Sequence, residues 1–331
     1  MIRSLLAALL LVSGLAHADD PKILKIATLA PEGSSWMKLF HEWGNNIEKR
    51  TGGRVKLKFY AGGIKGDERD AVRRMRGGEI NGAAVTAVGL GLIQPEVRVL
   101  EVPFLFRGYE ELDHVRNKLD AEFKKKFEER GYVLLSWGDV GPVHLFSNTP
   151  VKSRADLTQM KLWAWTDDPI IRTLFEVLGL NGVPLGVPAV LPSLHTGLIN
   201  ACYGSPLSTV ALQWHSKVKY MTQMVLSQSV GAAVVTKKAW DEFPADVQAV
   251  VMEESKALQA KLLKSVRDDN VVSEKKMISQ GVQVVPTPPA LEAEFQKEAK
   301  AVAKKLEGQL YSTAFRSQVE KLVAEYRQGH K

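Results

Sequence analysis

The chain holds one cysteine, Cys202, in 331 residues. A lone thiol excludes an internal disulfide, so the fold must stand on packing. It also excludes a CxxC redox pair, and the neighbours Ala201 and Tyr203 mark Cys202 as a buried strand residue. The seven histidines show no HExxH or other metal-ligand spacing. Gly62-Gly63-Ile64-Lys65-Gly66-Asp67 lacks the GK[ST] ending of a phosphate-binding loop. No nucleophile–base pairing or carboxylate dyad is legible. The expectation is a protein without catalytic residues, metal or cofactor. Past the N-terminus no apolar run approaches the roughly 20 residues that span a bilayer. Charge of one sign is not blocked either: Lys124-Lys125-Lys126 is followed by Glu128 and Glu129. The net charge of +7 therefore describes solvated, mixed faces, and no nucleic-acid partner is expected.

What is present begins with a leader. Met1-Ile2-Arg3 is a basic start, Leu5 to Leu15 is an apolar run of secretory length, and Ala16-His17-Ala18 is a small-x-small cleavage pattern. Residues 1–18 are read as a signal peptide cut after Ala18, which puts the rest of the chain in the periplasm. No cysteine near the cut offers a lipid anchor.

Two kinds of segment then alternate. An apolar run at 23–29 suits a buried strand. Trp36, Leu39, Phe40, Trp43 and Ile47 recur at helical spacing behind a Ser34 or Ser35 cap, and Gly52-Gly53 stops that helix. Further strands are expected at 54–60, 80–85, 97–106, 132–137, 161–165, 183–185 and 200–204. Helices are expected at 67–76, 109–130, 153–160, 169–178 and 189–199. Segments 220–226 and 231–235 read as returning strands. A helix over 245–279, a strand at 282–286 and helices over 290–306 and 313–327 complete the chain. Asp167-Asp168-Pro169 reads as a helix start. The alternation predicts a largely parallel sheet covered by helices.

Five blocks carry a family likeness: KIATLAPEGSSW (25–36), RVKLKFYAGGIKGDERDAVRRMRGGEI (54–80), PEVRVLEVPFLF (95–106), KSRADLTQMKLW (152–163) and LHTGLINACYGSP (194–206). In order and spacing the chain resembles the solute receptors of tripartite ATP-independent periplasmic (TRAP) transporters. The resemblance implies a two-lobed α/β periplasmic binding protein, type II-like, with an interlobe ligand cleft and a long lobe-spanning helix. Residues 19–142 and 231–285 would form the first lobe, and 143–230 and 286–331 the second with the C-terminal helices. It also implies a small-molecule ligand handed to a TRAP membrane permease driven by an ion gradient. A closed form read by a membrane sensor is the alternative.

The usual ligand of that family is a small organic acid held bidentately by an arginine in a K-[LI]-R pattern. This chain has Lys161-Leu162-Trp163. Val143 stands where some acid-binding members carry a second arginine, and Asn200-Ala201-Cys202-Tyr203-Gly204 replaces the family's Asp-Gly-x-Glu-Asn. Where some relatives place a glutamate, Thr86 lies among Val85, Ala87, Val88 and Gly89. The expected ligand is therefore apolar or lipid-like, on a cleft lined by Trp163, Val143, Val187 and Tyr203. Leu29, Thr86, Trp137, Trp165 and Ser205 are further candidates. Glu32 at the cleft mouth either meets the ligand or caps the first helix. If the ligand is instead a C4-dicarboxylate or another organic acid, Lys161 and Arg172 are the cations available to grip it. The chain resembles the branch with apolar clefts, which is associated with a periplasmic tetratricopeptide-repeat protein, and the resemblance leaves that partner open.

Overall fold

The computed structural model describes residues 20–330, so the expected leader lies outside the described residues. Strand β1 (Lys22–Thr28) leads to helix α1 (Ser35–Arg50) and strand β2 (Val55–Tyr60). The Ser34 hydroxyl caps α1 by accepting from the Met37 amide at 3.3 Å. Met37, Phe40, Trp43 and Ile47 form the buried stripe of that helix. Helix α2 (Glu68–Arg76), strand β3 (Gly82–Thr86) and helix α3 (Ala87–Ile93) follow. β2 and β3 flank β1, both parallel to it.

The strand expected at 97–106 is not formed. Pro95–Glu101 is a 3-10 turn in which every residue from Val97 to Glu101 is buried. A run with no solvent face carries no period by which a strand can be told from a buried turn. Helix α4 (Tyr109–Glu129) then leads to strand β4 (Tyr132–Ser147), which runs well past the expected end at 137.

β4 joins two half-sheets. From Tyr132 to Val143 it pairs antiparallel with β9 (Ser227–Thr236), and from His144 to Ser147 with β7 (Ala201–Gly204). The chain leaves the first half through β4 and returns through β9, so the crossing is antiparallel although β1–β2 and β1–β3 are parallel. The sheet is thus mixed where a largely parallel one is expected. Between the crossings lie α5 (Arg154–Thr158), β5 (Leu162–Trp165), α6 (Pro169–Leu178), β6 (Gly182–Leu185), α7 (Val187–Thr196), β7, α8 (Pro206–Ala211) and β8 (Tyr220–Thr222). Strand order is β2-β1-β3-β9-β4-β7-β5-β6, with β8 pairing β4.

After α9 (Lys237–Asp241) comes α10 (Ala245–Ser279), whose 35 residues span about 50 Å at 1.5 Å per residue. It packs on α1, β4 and α8, and so lies along both halves. Asn270 fastens it at the crossing. Its Nδ2 donates to the Val140 carbonyl at 3.1 Å and its Oδ1 accepts from the Leu207 amide at 3.0 Å. Gly141 beside it has φ 124°, and a Cβ there would stand 2.4 Å from Asn270 Nδ2, so glycine is required. β10 (Gln283–Val285) pairs with β8 in the second half, α11 (Pro289–Lys305) lies on α6, and α12 (Thr313–Gly329) lies on α4. Arg327 binds Glu111 of α4 through two bonds of 2.8 and 2.7 Å. The division expected at 285/286 does not follow this packing: β10 belongs with the second half and α12 with the first.

Candidate functional site

A cavity of about 190 Å3 lies between the halves. One wall is aromatic. Side chains at i and i+2 of a strand share a face, so β5 points Trp163 and Trp165 the same way, and β7 adds Tyr203 beside them. Trp163 stacks on Tyr203 at 4.6 Å and 18°, on Trp165 at 6.0 Å and 29°, and meets Trp214 edge-on at 5.2 Å. The polar atoms of Trp163, Trp165 and Tyr203 have partners within the protein. Trp163 Nε1 donates to the Leu185 carbonyl at 2.9 Å, and the Tyr203 hydroxyl accepts from the Trp165 amide at 3.2 Å. What the rings offer the cavity is apolar surface.

Leu29, Thr86, Val143, Trp163, Trp165, Val187, Tyr203 and Ser205 all line the cavity. Two expected residues do not. Glu32 is exposed in the loop before α1 and pairs with His41 Nε2 at 3.1 Å, while Ser34 provides the cap. Trp137 is buried between β4 and α4: its Nε1 donates to Asp120 Oδ1 at 2.8 Å and its ring meets the edge of Phe123. Lys161 and Arg172 are exposed and neither lines the cavity.

A charged cluster escaped the sequence reading. Arg98, from the buried 3-10 turn, is the cation of the wall among the described residues. Its Nη1 donates to Glu101 Oε2 at 2.5 Å and its Nη2 to Asp168 Oδ1 at 2.7 Å, across the two halves. Glu101 Oε1 accepts from Ser229 Oγ at 2.7 Å and the Val230 amide at 3.0 Å. Burial raises the Glu101 carboxyl even though Arg98 opposes it. Burial alone would lower the Arg98 guanidinium, but Asp168 and Glu101 hold it above its usual range. The sequence signal is two charges three residues apart in the apolar block PEVRVLEVPFLF. Asp168 is the helix cap expected of it, accepting from the Ile170 amide at 2.9 Å, and is an interlobe partner as well.

Two more carboxylates shape the site. Glu68 also lines the cavity, and burial pushes its carboxyl up to about 8. Amide bonds from Thr86 (2.7 Å) and Gly89 (2.6 Å) oppose that rise. Asp67 caps α2 through Oδ1, and its Oδ2 reaches the other half to accept from Trp165 Nε1 at 2.9 Å and the Val187 amide at 3.0 Å. A Cβ on Gly186 would stand 2.5 Å from that oxygen.

Two half-sheets joined by crossing strands, with a cavity between them, form the architecture of an interlobe ligand cleft. Residues 26–309 match the family described as bacterial extracellular solute-binding protein, family 7. The chain belongs to that family. It is 26% identical to the 2,3-diketo-L-gulonate-binding periplasmic protein YiaO of Escherichia coli over 252 residues, 72% of this chain and 73% of that one. Among solved structures it is similar to DctP7, a Bordetella pertussis extracytoplasmic solute receptor binding pyroglutamic acid. The TM-score is 0.84 at 18% identity, over 92% of this chain and 99% of that one. A TRAP periplasmic solute-binding protein from Ralstonia eutropha with bound (S)-2-acetolactate gives 0.85 at 21% identity, over 92% and 99%. The two-lobed α/β solute-binding fold expected from the sequence is the fold of this receptor. No helix of the described residues is long and apolar enough to cross a membrane.

Proposed function

We propose that this receptor works in the periplasm for a TRAP transporter, capturing a small, predominantly apolar ligand and passing it to the membrane permease. The observation that carries the ligand class is the wall itself. Among the described residues its aromatic and aliphatic side chains stand against a single cation, Arg98, already bonded to Glu101 and Asp168. Apolar surface buried there stabilises the complex by about 25 cal/mol per Å2 before ordering costs. A bare carboxylate, left without a free cation, would be penalised by several kcal/mol. The volume sets the scale, since an apolar cavity of about 150 Å3 accommodates benzene. A group somewhat larger than one ring fits the space between the lobes.

The lobes move as units about the crossing strands, with the hinge at 140–144 and 229–232. A periplasmic tetratricopeptide-repeat partner belongs to the same reading, through the branch that lacks the carboxylate-binding arginine. The named ligands of the relatives favour a second reading, in which Arg98 takes an organic acid through its free Nε after Asp168 has moved away. Mass spectrometry of small molecules released from the denatured receptor separates the two. Titrations against C4-dicarboxylates, 2-oxo acids and small hydrophobic compounds, read by tryptophan fluorescence, give the affinities. Submicromolar succinate binding by the wild type would overturn the apolar reading.

A further inference from the structure

Resting on that reading of the cleft, the geometry points to a specificity-determining residue: we propose that Asp168 is a resident carboxylate, filling the anion position beside Arg98, the cation of the wall among the described residues, and thereby excluding free carboxylate ligands from it. In a two-lobed receptor an acid ligand would lie between the lobes, bonded to a cation on one side and to helix N-terminal amides on the other. Asp168 makes both contacts from within the chain. Its Oδ1 accepts from Arg98 Nη2 at 2.7 Å and from the Ile170 amide at the start of α6 at 2.9 Å. Glu101 cannot be the group displaced. It comes from the same turn as Arg98, and its other oxygen is fixed to Ser229 and Val230 of the crossing strand.

Arg98 is held in place for this role. Its stem lies over Gly91, where a Cβ would stand 2.7 Å from its Cδ. The guanidinium is not saturated: Nε is buried and has no partner. With Glu101 and Asp168 both bonded to one arginine, a third carboxylate would meet an excess of negative charge in a desolvated space. An uncharged ligand meets no such barrier.

The test uses acetate and succinate as probes, chloride at equal ionic strength as control, and tryptophan fluorescence and thermal midpoint as readouts. The wild type should respond to neither acid beyond the chloride control. Asp168→Ala vacates the position, so acetate should bind it saturably and raise its thermal midpoint. That response should vanish when Arg98→Met is added. Asp168→Asn keeps the cap on α6 and the size of the side chain and removes only the charge. It should give a saturable response to succinate where the wild type gives none beyond the chloride control. Absence of carboxylate binding in both variants, or a gain that persists without Arg98, overturns the proposal. Were the wild type to reject both acids while neither variant gained them, this inference would fail and the apolar reading would stand. Tight succinate binding by the wild type would overturn both.

Discussion

Gly186→Ala isolates one of the contacts between the two lobes, that of Asp67 with Trp165 and Val187. The new methyl would stand 2.5 Å from Asp67 Oδ2, inside the 3.0 Å that real Cβ contacts keep, so the carboxylate has to withdraw. In withdrawing it loses the Trp165 Nε1 bond of 2.9 Å and the Val187 amide bond of 3.0 Å. Gly186 has φ −74° and precedes α7, so alanine brings no backbone strain of its own. Asp67 can still cap α2 through Oδ1. Charge-assisted bonds contribute about 1.5–3 kcal/mol each when buried, and at a partly exposed cleft mouth about 1 kcal/mol each is a fair discount. Losing two therefore costs the closed form about 2 kcal/mol, or about thirtyfold in ligand affinity. The global unfolding midpoint should barely move, because the two lobe cores are untouched. Fluorescence titration with the co-purified ligand gives the affinity, and small-angle scattering gives the particle size at fixed ligand concentration. Wild-type affinity together with an unchanged scattering curve would show that Asp67 does not help to hold the lobes shut.

Three further outcomes are expected. Trp163→Ala removes a buried ring stacked on Tyr203, so it should cost about 3–5 kcal/mol in denaturant-measured stability and weaken ligand binding about hundredfold; unchanged binding would remove Trp163 from the site. Glu68 is raised from 4.5 to about 8 by burial, so the folded state holds a proton the unfolded chain releases. Its stabilisation is complete below about pH 4.5 and is lost as pH rises through about 8, and Glu68→Gln should flatten that part of the stability–pH curve. Equal curves for the two proteins would argue that Glu68 is ionised when folded. Burial raises the Cys202 thiol far above its usual value, so iodoacetamide should label it only in denaturant, a point checked by intact mass.

Most elements were legible because their causes are local. Helix α10 falls on the expected 245–279, and its buried face recurs every three or four positions from Val247 to Met277, with Ser255, Asn270 and Ser273 among the apolar residues. The Ser34 and Asp168 caps and the Gly52 stop act on neighbours in the chain. The pair Trp163 and Trp165 could be assigned to one face by strand alternation alone, and with Tyr203 they form the aromatic wall. The turn at Pro95–Glu101 could not be read, since burial on all sides erases the period. Trp137 was misplaced for a related reason: alternation gives a face of β4, but only packing decides whether that face meets α4 or the cleft.

The sequence by itself determined the alternation of elements, the family and the apolar character of the wall. The tertiary structure alone decided which charges the wall contains. Arg98 and Asp168 are 70 residues apart and on opposite halves, and no local pattern announces that they meet at 2.7 Å. Asp67 and Trp165 are 98 residues apart in the same way. Periodicity and capping act over one or two turns of chain, whereas a cleft is made by the crossing strands that fold one half over the other.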